Sequence, residues 1–248
     1  MNTDNYKGKP RDTAYEKLEN YLVQNNYPPH YRLPGERDMC EMWNLSRTTL
    51  RAAISRLVIE GKLYRKKGSG TYVAPPKLIE DLQKIHSFAK LSKSDGRIPE
   101  TKLISMELCP ADKKIAGKLG LSLGEKVWQL VRIRMADTMP VRLENVFLPE
   151  KLFKKPDQNK LTAQSLYDMM EEDYGLRPEH GAEKIALAYA TEREAQLLEV
   201  EAGAPLFYIS GITRTKDEVA VEYYKNVVRG DMVRYQGVLR DGCDNVCV

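Results

Sequence analysis

The 248-residue sequence predicts an α+β protein made of two domains. Three observations lead to this fold class. The first part of the chain shows helical periodicity, then a turn and two short strands. Tandem prolines follow this part. The remainder of the chain alternates strand hairpins with helices. Residues 8–74 should form the first domain, residues 75–91 a linker, and residues 92–244 a second domain built on an antiparallel sheet.

The first domain should contain a helix-turn-helix. Residues 36–43 place apolar side chains at helical spacing, and a turn follows them. Ser46 is suited to cap the next helix, because its hydroxyl can accept a hydrogen bond from a free backbone N–H. That second helix directs Leu50, Ile54 and Leu57 inward, as a core-facing helix requires.

Two short strands joined by a glycine-rich turn follow this helix and predict a wing. Residues 1–76 carry 13 Lys and Arg against 8 Asp and Glu, whereas residues 77–248 carry 26 against 27. Within residues 44–76 the ratio is 7 to 1, so the positive charge is concentrated on the second helix and the wing. This distribution favours a surface that faces phosphates, and we predict a winged helix-turn-helix that binds DNA.

The DNA-facing side chains should lie on the recognition helix and the wing. An Arg in the first turns of that helix can bond guanine O6 and N7, and a Thr methyl can touch thymine. For Arg51 the alternative is a surface ion pair with nearby acidic side chains. Because one small domain makes few base contacts, we expect a homodimer on the two half-sites of a palindromic double-stranded DNA operator. The predicted contact residues are Arg37, Ser46, Arg47, Thr48, Thr49, Arg51, Lys67, Gly68 and Ser69.

Five short motifs within residues 15–73 occur in a recognisable order. LPxER, SRTTLR, a helix ending in EG, a strand carrying LYR, and GxGTYV together resemble the N-terminal domain of GntR-type bacterial repressors. In that resemblance the positions of Arg37, Arg47, Thr49, Arg51 and Gly68 contact DNA. One departure is the Gly of LPGER, where the family often has Ser, Ala or Thr, and Gly is an N-cap poorer by only tenths of a kcal/mol.

Beyond Pro75-Pro76, alternating apolar residues predict two hairpins, at residues 127–148 and 207–228, with a helix at 165–174 between them. An internal repeat at an offset of 79 residues matches a helix, a turn and a hairpin in each copy. Two such units packed together would give one antiparallel sheet with helices against it.

This second part also resembles a known domain. The segments LGLSLGEKVWQLVRIRMADTMPVRLENVFLP, SLYDMMEEDYGL, LLEVEAGAPLFYI and VEYYKNVVRGD are similar to the UTRA domain, the effector-binding domain of HutC-like GntR regulators. Its fold is similar to that of chorismate lyase. Ser210-Gly211-Ile212 departs from the pattern, because an Arg like that of the first hairpin is expected there. The second hairpin should therefore bring less charge to a pocket.

Strand alternation places Arg132 and Arg134 on the same face as Trp128. Two arginines beside apolar side chains suit a cleft in which they hold an anion through paired N–H groups. The simpler alternative is that both pair with Glu144 across the hairpin and bind nothing. Ser165 begins a helix whose free N–H groups favour a phosphate or carboxylate, although its role as an N-cap explains it equally well.

The UTRA resemblance implies a small anionic effector, and a phosphorylated sugar is the leading candidate. Carboxylates such as urocanate would use the same two arginines, so the sequence leaves both classes open. Carboxylate side chains in the set are suited to sugar hydroxyls. The predicted effector-contacting residues are Ser87, Arg132, Arg134, Glu144, Ser165, Tyr167 and Glu222.

Other functional classes find little support in the sequence. There is no Ser-His-Asp order, no metal-ligand spacing and no phosphate loop, so we expect no enzyme, no metal and no cofactor. A constitutive architectural DNA-binding protein would leave the near-neutral second domain unexplained. No run of about 18 apolar residues occurs and residues 1–12 are polar, which favours a cytoplasmic protein without a membrane partner. The four cysteines form no C-x-x-C pair and should be reduced thiols: Cys40, Cys109, Cys243 and Cys247.

Overall fold

A three-helix domain with a two-stranded wing comes first in the computed structural model, which describes residues 10–66, 68–85, 87–163 and 165–238. Its wing strands pair antiparallel, with Leu63 opposite Val73. The elements are α1 (Pro10–Asn25), α2 (Glu36–Trp43), α3 (Arg47–Ile59), β1 (Leu63–Lys66) and β2 (Gly70–Val73).

Local sequence explains the boundaries of α2 and α3. Asn44 ends α2 in the left-handed region, with φ of 50°, a conformation that Asn tolerates better than most residues. The Ser46 side chain then caps α3 by accepting a hydrogen bond from the Thr49 N–H at 3.1 Å. Buried side chains from all three helices and β1 form one core, which includes Leu18, Met39 and Leu57. The predicted winged helix-turn-helix is confirmed.

A six-stranded antiparallel sheet with strand order β4-β5-β6-β9-β8-β7 dominates the second domain. Two further strands, β3 and β10, pair in parallel as a separate ribbon. The elements are β3 (Leu78–Asp81), α4 (Phe88–Ser94), β4 (Pro99–Pro110), α5 (Lys113–Leu119), β5 (Lys126–Ala136), β6 (Met139–Pro149), α6 (Gln158–Ala163), α7 (Leu166–Tyr174), β7 (His180–Tyr189), α8 (Glu192–Leu198), β8 (Pro205–Arg214), β9 (Ala220–Arg229) and β10 (Val233–Gln236).

The internal repeat is confirmed, because the sheet is nearly symmetric about the contact between β6 and β9. Each half consists of an edge strand, a helix and a hairpin, and α5 and α8 begin 79 residues apart. The helices are exchanged between the halves, since α5 packs over β9 and α8 packs over β6. This exchange ties the two copies into a single folding unit.

The two faces of this sheet have different covers. On one face Leu130, Val146 and Val228 pack against Phe153 and Met169, in the largest buried cluster of the domain. The helices α5 and α8 cover parts of the opposite face. Neither these nor the other described helices combine the length and apolar character of a membrane-spanning helix.

The segment predicted as a linker, residues 75–91, contains β3 and the start of α4. Lys77, just before β3, joins the two domains: its ammonium donates to the carbonyl of Ile59 at 3.0 Å and to that of Gly230 at 2.7 Å. Cys40 and Cys109 are free thiols. Lys67, Cys243 and Cys247 lie outside the described residues.

Candidate functional site

The first turns of α3 present basic and hydroxyl side chains to solvent. Arg47 and Thr48 are exposed, while Arg51 donates from Nε to Glu36 Oε2 at 2.7 Å. Arg37, on α2, makes a similar ion pair with a carboxylate one helical turn away, at 3.1 Å. Exposed pairs of this kind contribute at most about 1 kcal/mol, so both guanidinium groups can exchange a carboxylate for a phosphate.

Two of the predicted contact residues also have local structural roles. Ser46 is the cap of α3, and the Thr49 hydroxyl lies 2.8 Å from the Ser46 hydroxyl. In the wing, Gly68 adopts φ of 72° with open space around it, so the backbone at this turn is accessible. The Ser69 hydroxyl lies 2.5 Å from that of Tyr72, which holds the turn against its strand.

A cavity of about 570 Å³ lies in the second domain, beside β5, β6, β8 and β9. Its size falls within the range of pockets for small ligands. All seven side chains predicted from the sequence line it, although they come from five separate elements or their ends: Ser87, Arg132, Arg134, Glu144, Ser165, Tyr167 and Glu222.

One end of the cavity is positively charged. Arg132 is 2% exposed and donates from Nη2 to Glu144 Oε2 at 2.6 Å, whereas Arg134 Nη1 lies 3.8 Å from the same oxygen. Burial lowers the pKa of Arg134 to about 10, which still leaves it charged at neutral pH. Burial alone would raise the pKa of Glu144, but the surrounding arginines outweigh it and hold this pKa below its usual range.

These ion pairs leave several donors unused. Within the described part of the chain, Arg132 Nε and Nη1, Arg134 Nε and the Ser87 hydroxyl are buried without a hydrogen-bond partner. Unpaired buried donors are costly, so their concentration at one end of a cavity indicates a place for an acceptor. Ser165, at the N-terminus of α7, accepts from the Tyr167 N–H at 3.2 Å.

Sequence reasoning missed Arg142, which also lines this end. It lies directly opposite Arg134 in the β5–β6 register, and both guanidinium groups lie over the Phe88 ring, at 5.2 and 5.1 Å. Strand alternation could have identified it, because it lies two residues before Glu144 on β6 and therefore faces the same side.

A second buried carboxyl, Glu222, also lines the cavity and is 4% exposed. Its Oε2 accepts hydrogen bonds from the Tyr167 hydroxyl at 3.0 Å and from the Thr213 hydroxyl at 3.2 Å. Burial, reinforced by the charge of Glu144, raises the pKa of Glu222 to about 7. This carboxyl can therefore serve as a hydrogen-bond donor or acceptor near neutral pH.

The internal repeat explains why the two hairpins contribute different side chains to the cavity. The facing pair Arg132 and Glu144 in the first hairpin corresponds to Gly211 and Tyr224 in the second. A Cβ at Gly211 would overlap the phenol oxygen of Tyr224, so a larger residue there requires the Tyr224 side chain to move. The missing Arg in the second hairpin thus leaves room for the Tyr224 ring, whose hydroxyl bonds Glu183.

Comparison with known proteins identifies the family. Residues 10–73 match the family model of bacterial regulatory proteins, gntR family, and residues 94–234 match the UTRA domain model. The chain belongs to the GntR family. The segment between the two matches supplies β3 and Ser87, so this GntR regulator builds part of its cavity from the connection between its domains.

Several relatives of this GntR regulator are named as repressors. It is 32% identical over 216 residues to the HTH-type transcriptional repressor NagR of Bacillus subtilis, covering 87% of this chain and 88% of that protein. It is 30% identical over 206 residues to the repressor PhnF of Mycolicibacterium smegmatis, covering 83% of each chain. The crystal structure of PhnF from Mycobacterium smegmatis superposes with a TM-score of 0.63 at 28% identity, covering 92% of this chain and 100% of that one. The chain is a transcriptional repressor of the GntR and UTRA class, not an enzyme.

Proposed function

We propose that this repressor binds a palindromic operator as a homodimer and is released when a phosphorylated sugar occupies the UTRA cavity. The observation that carries the proposal is the lining of the cavity, which combines buried arginine donors that have no partner with the buried Glu222 carboxyl. A phosphorylated sugar has the matching combination, an anion joined to a set of hydroxyl groups.

The anionic group would bind at the arginine end. Arg132 and Arg134 offer unpaired N–H groups, and the Ser87 hydroxyl adds an uncharged donor. Charge-assisted hydrogen bonds of this kind are about twice as strong as neutral ones, and planar guanidinium groups suit phosphate oxygens. Ser165 would add the N-terminus of α7, where backbone N–H groups and the helix dipole favour negative charge.

The sugar hydroxyls would face Glu222 and Tyr167, which offer hydrogen-bonding oxygens, and Glu144 would add another beside the arginines. A small carboxylate such as urocanate would occupy the arginine end and leave this set unused, which is why we favour a sugar. One relative also supports a sugar-derived effector. The chain is 28% identical over 221 residues to the probable fructoselysine utilization operon transcriptional repressor of Escherichia coli, covering 89% of this chain and 90% of that protein.

The operator would be read by the exposed start of α3 and approached by the wing. Arg47 and Arg51 would bond base edges, while wing residues would bond phosphates. Within this proposal Ser46 acts mainly by capping the helix. The proposed DNA contacts are Arg37, Ser46, Arg47, Thr48, Thr49, Arg51, Lys67, Gly68 and Ser69.

A homodimer is supported by the edge strand β7. It is exposed along almost its whole length and carries Ile185, Leu187 and Tyr189 on one face, with 38%, 65% and 66% of their surfaces accessible. Long apolar edge strands are ready templates for pairing with another strand. A second copy would present the same strand antiparallel across a two-fold axis.

Calorimetric titration with glucose 6-phosphate, glucose and urocanate at fixed ionic strength tests the cavity. We expect the phosphorylated sugar to bind more tightly than either comparison compound, and the double variant Arg132→Ala, Arg134→Ala to lose this binding while it still binds operator DNA. The exposed Arg193→Ala serves as a matched loss of a guanidinium outside the cavity. Unchanged sugar phosphate binding by the double variant would show that the arginines only neutralise Glu144.

A further inference from the structure

The ion pair between Arg142 and Glu80 joins the cavity wall to the connection between the domains. Arg142 is on β6, Glu80 is on β3, and their side chains are only 12% and 16% exposed. Arg142 donates from Nη2 to Glu80, while its Nε is buried without a partner among the described residues. Glu80 itself lines the cavity. A shielded pair of this kind responds to any new charge placed beside it.

A second positive charge lies across the hairpin. Arg134 directly faces Arg142, and like charges directly opposite each other destabilise a sheet. The Phe88 ring, over which both guanidinium groups lie, offers its electron-rich face to the cations but carries no net charge. Glu80 therefore neutralises Arg142, and an anion bound between the two arginines would compete with it.

The strand that carries Glu80 is joined to the recognition helix through the side chain of Lys77. Glu80 is three residues after Lys77, whose ammonium bonds the carbonyl of Ile59, the last residue of α3. The same ammonium bonds Gly230, which precedes the β10 strand that pairs with β3. Gly61, with φ of 75°, leaves the space in which the Lys77 side chain lies.

We propose that Arg142 is an anion-binding residue of the cavity and that its ion pair with Glu80 couples the cavity, through β3 and Lys77, to the recognition helix. The proposal rests on the proposed function of the cavity. With the cavity free, the ion pair and the Lys77 hydrogen bonds hold α3 in one position against the second domain. An anion that binds Arg142 releases Glu80, and β3 then no longer positions Lys77. Lys77 is thus a positioning residue that touches neither the effector nor DNA, and Glu80, although it lines the cavity, acts on α3 through β3 and Lys77.

The coupling can be tested without any effector by a double-variant cycle. Glu80→Gln removes the charge and keeps the shape, and Lys77→Met removes the two interdomain hydrogen bonds and keeps the length. We expect each single variant to weaken operator binding by about threefold or more, measured by anisotropy at fixed salt. Because both substitutions act through β3, the double variant should bind the operator with the same affinity as the single variant that binds it more weakly.

A matched control removes a carboxylate ion pair elsewhere in the same domain. Asp173→Asn breaks the pair with Lys160 between α7 and α6, away from β3, and should leave operator binding unchanged. Thermal unfolding of all variants checks that they fold. Any of three results would overturn the coupling. Glu80→Gln could bind the operator as tightly as the wild type, or the Asp173→Asn control could lose as much affinity as Glu80→Gln. The losses of the two single variants could also add independently in the double variant.

Inorganic phosphate is the probe for the anion site. Calorimetry should show phosphate binding at least threefold tighter in Glu80→Gln than in the wild type, because Arg142 is then no longer neutralised, and weaker in Arg142→Gln. Equal phosphate affinities in these three proteins would overturn the role of Arg142. Absence of phosphate binding in all of them would contradict the proposed anion cavity itself, and the operator cycle would still report on the coupling separately.

Discussion

Glu222 offers a quantitative test of the buried carboxyl groups in the cavity. Its pKa is raised from 4.5 to about 7 by burial and by the charge of Glu144. Each pH unit corresponds to about 1.4 kcal/mol, so the folded protein disfavours the charged carboxylate by roughly 3 kcal/mol. Because the folded state binds this proton more tightly than the unfolded state, the stabilisation is complete below pH 4.5 and is lost as the pH rises through about 7.

The substitution Glu222→Gln removes the titration and preserves the contacts, because an amide oxygen can accept from both the Tyr167 and the Thr213 hydroxyls. Between pH 5 and pH 8 the wild type should lose roughly 2–3 kcal/mol more unfolding free energy than the variant. Urea titration in a Trp43→Phe background lets Trp128 fluorescence report on the second domain alone. Parallel pH dependences in the two proteins would refute the reasoning, and Glu107→Gln, an exposed change on β4, is the control.

Three further predictions concern other parts of the chain. Ser46→Ala removes the cap of α3 and should lower the unfolding free energy by about 1 kcal/mol in urea titrations. An unchanged unfolding free energy would show that the cap does not stabilise the domain. Arg47→Ala should abolish the preference for operator over random DNA, and equal losses of affinity for the two DNAs would contradict base reading by Arg47. Lys67→Ala should weaken binding to operator and to random DNA, and should reduce the slope of log affinity against log salt concentration by about one. Gly211→Ala should displace Tyr224 and lower the unfolding free energy by about 1–3 kcal/mol. The control Gly117→Ala, on an open helix surface, should be neutral or stabilising. Equal stabilities of the two variants would exclude the steric role of Gly211.

Local patterns in the sequence predicted the elements that depend on neighbouring residues. The α2-turn-α3 unit follows from helical spacing and the Ser46 cap, and both hairpins follow from strand alternation. The 79-residue repeat also anticipated two similar halves of one sheet. It did not reveal that α5 and α8 are exchanged, because each helix would satisfy the same apolar pattern over either hairpin.

Contacts between distant segments were beyond these local patterns. The parallel pairing of β3 with β10 joins residues near positions 78 and 233, and no periodicity links them. Arg132 and Arg134 could be placed on one strand face, and Glu222 was proposed from its hairpin and its carboxyl group, but Ser87 was assigned to the pocket only through family resemblance. The Arg142–Glu80 ion pair was missed for the same reason, since its partners are on strands that meet only in the folded chain.

Release of operator DNA by a phosphorylated sugar is the central claim, and anisotropy of a labelled duplex from the upstream region of the gene measures it directly. With glucose 6-phosphate and other hexose phosphates added at constant ionic strength, at least one should weaken binding tenfold or more. A hundredfold release requires about 2.7 kcal/mol of preference for the form that does not bind DNA. The sugar phosphate assignment would be contradicted if the protein binds the duplex tightly, no hexose phosphate weakens that binding, and a small carboxylate does weaken it.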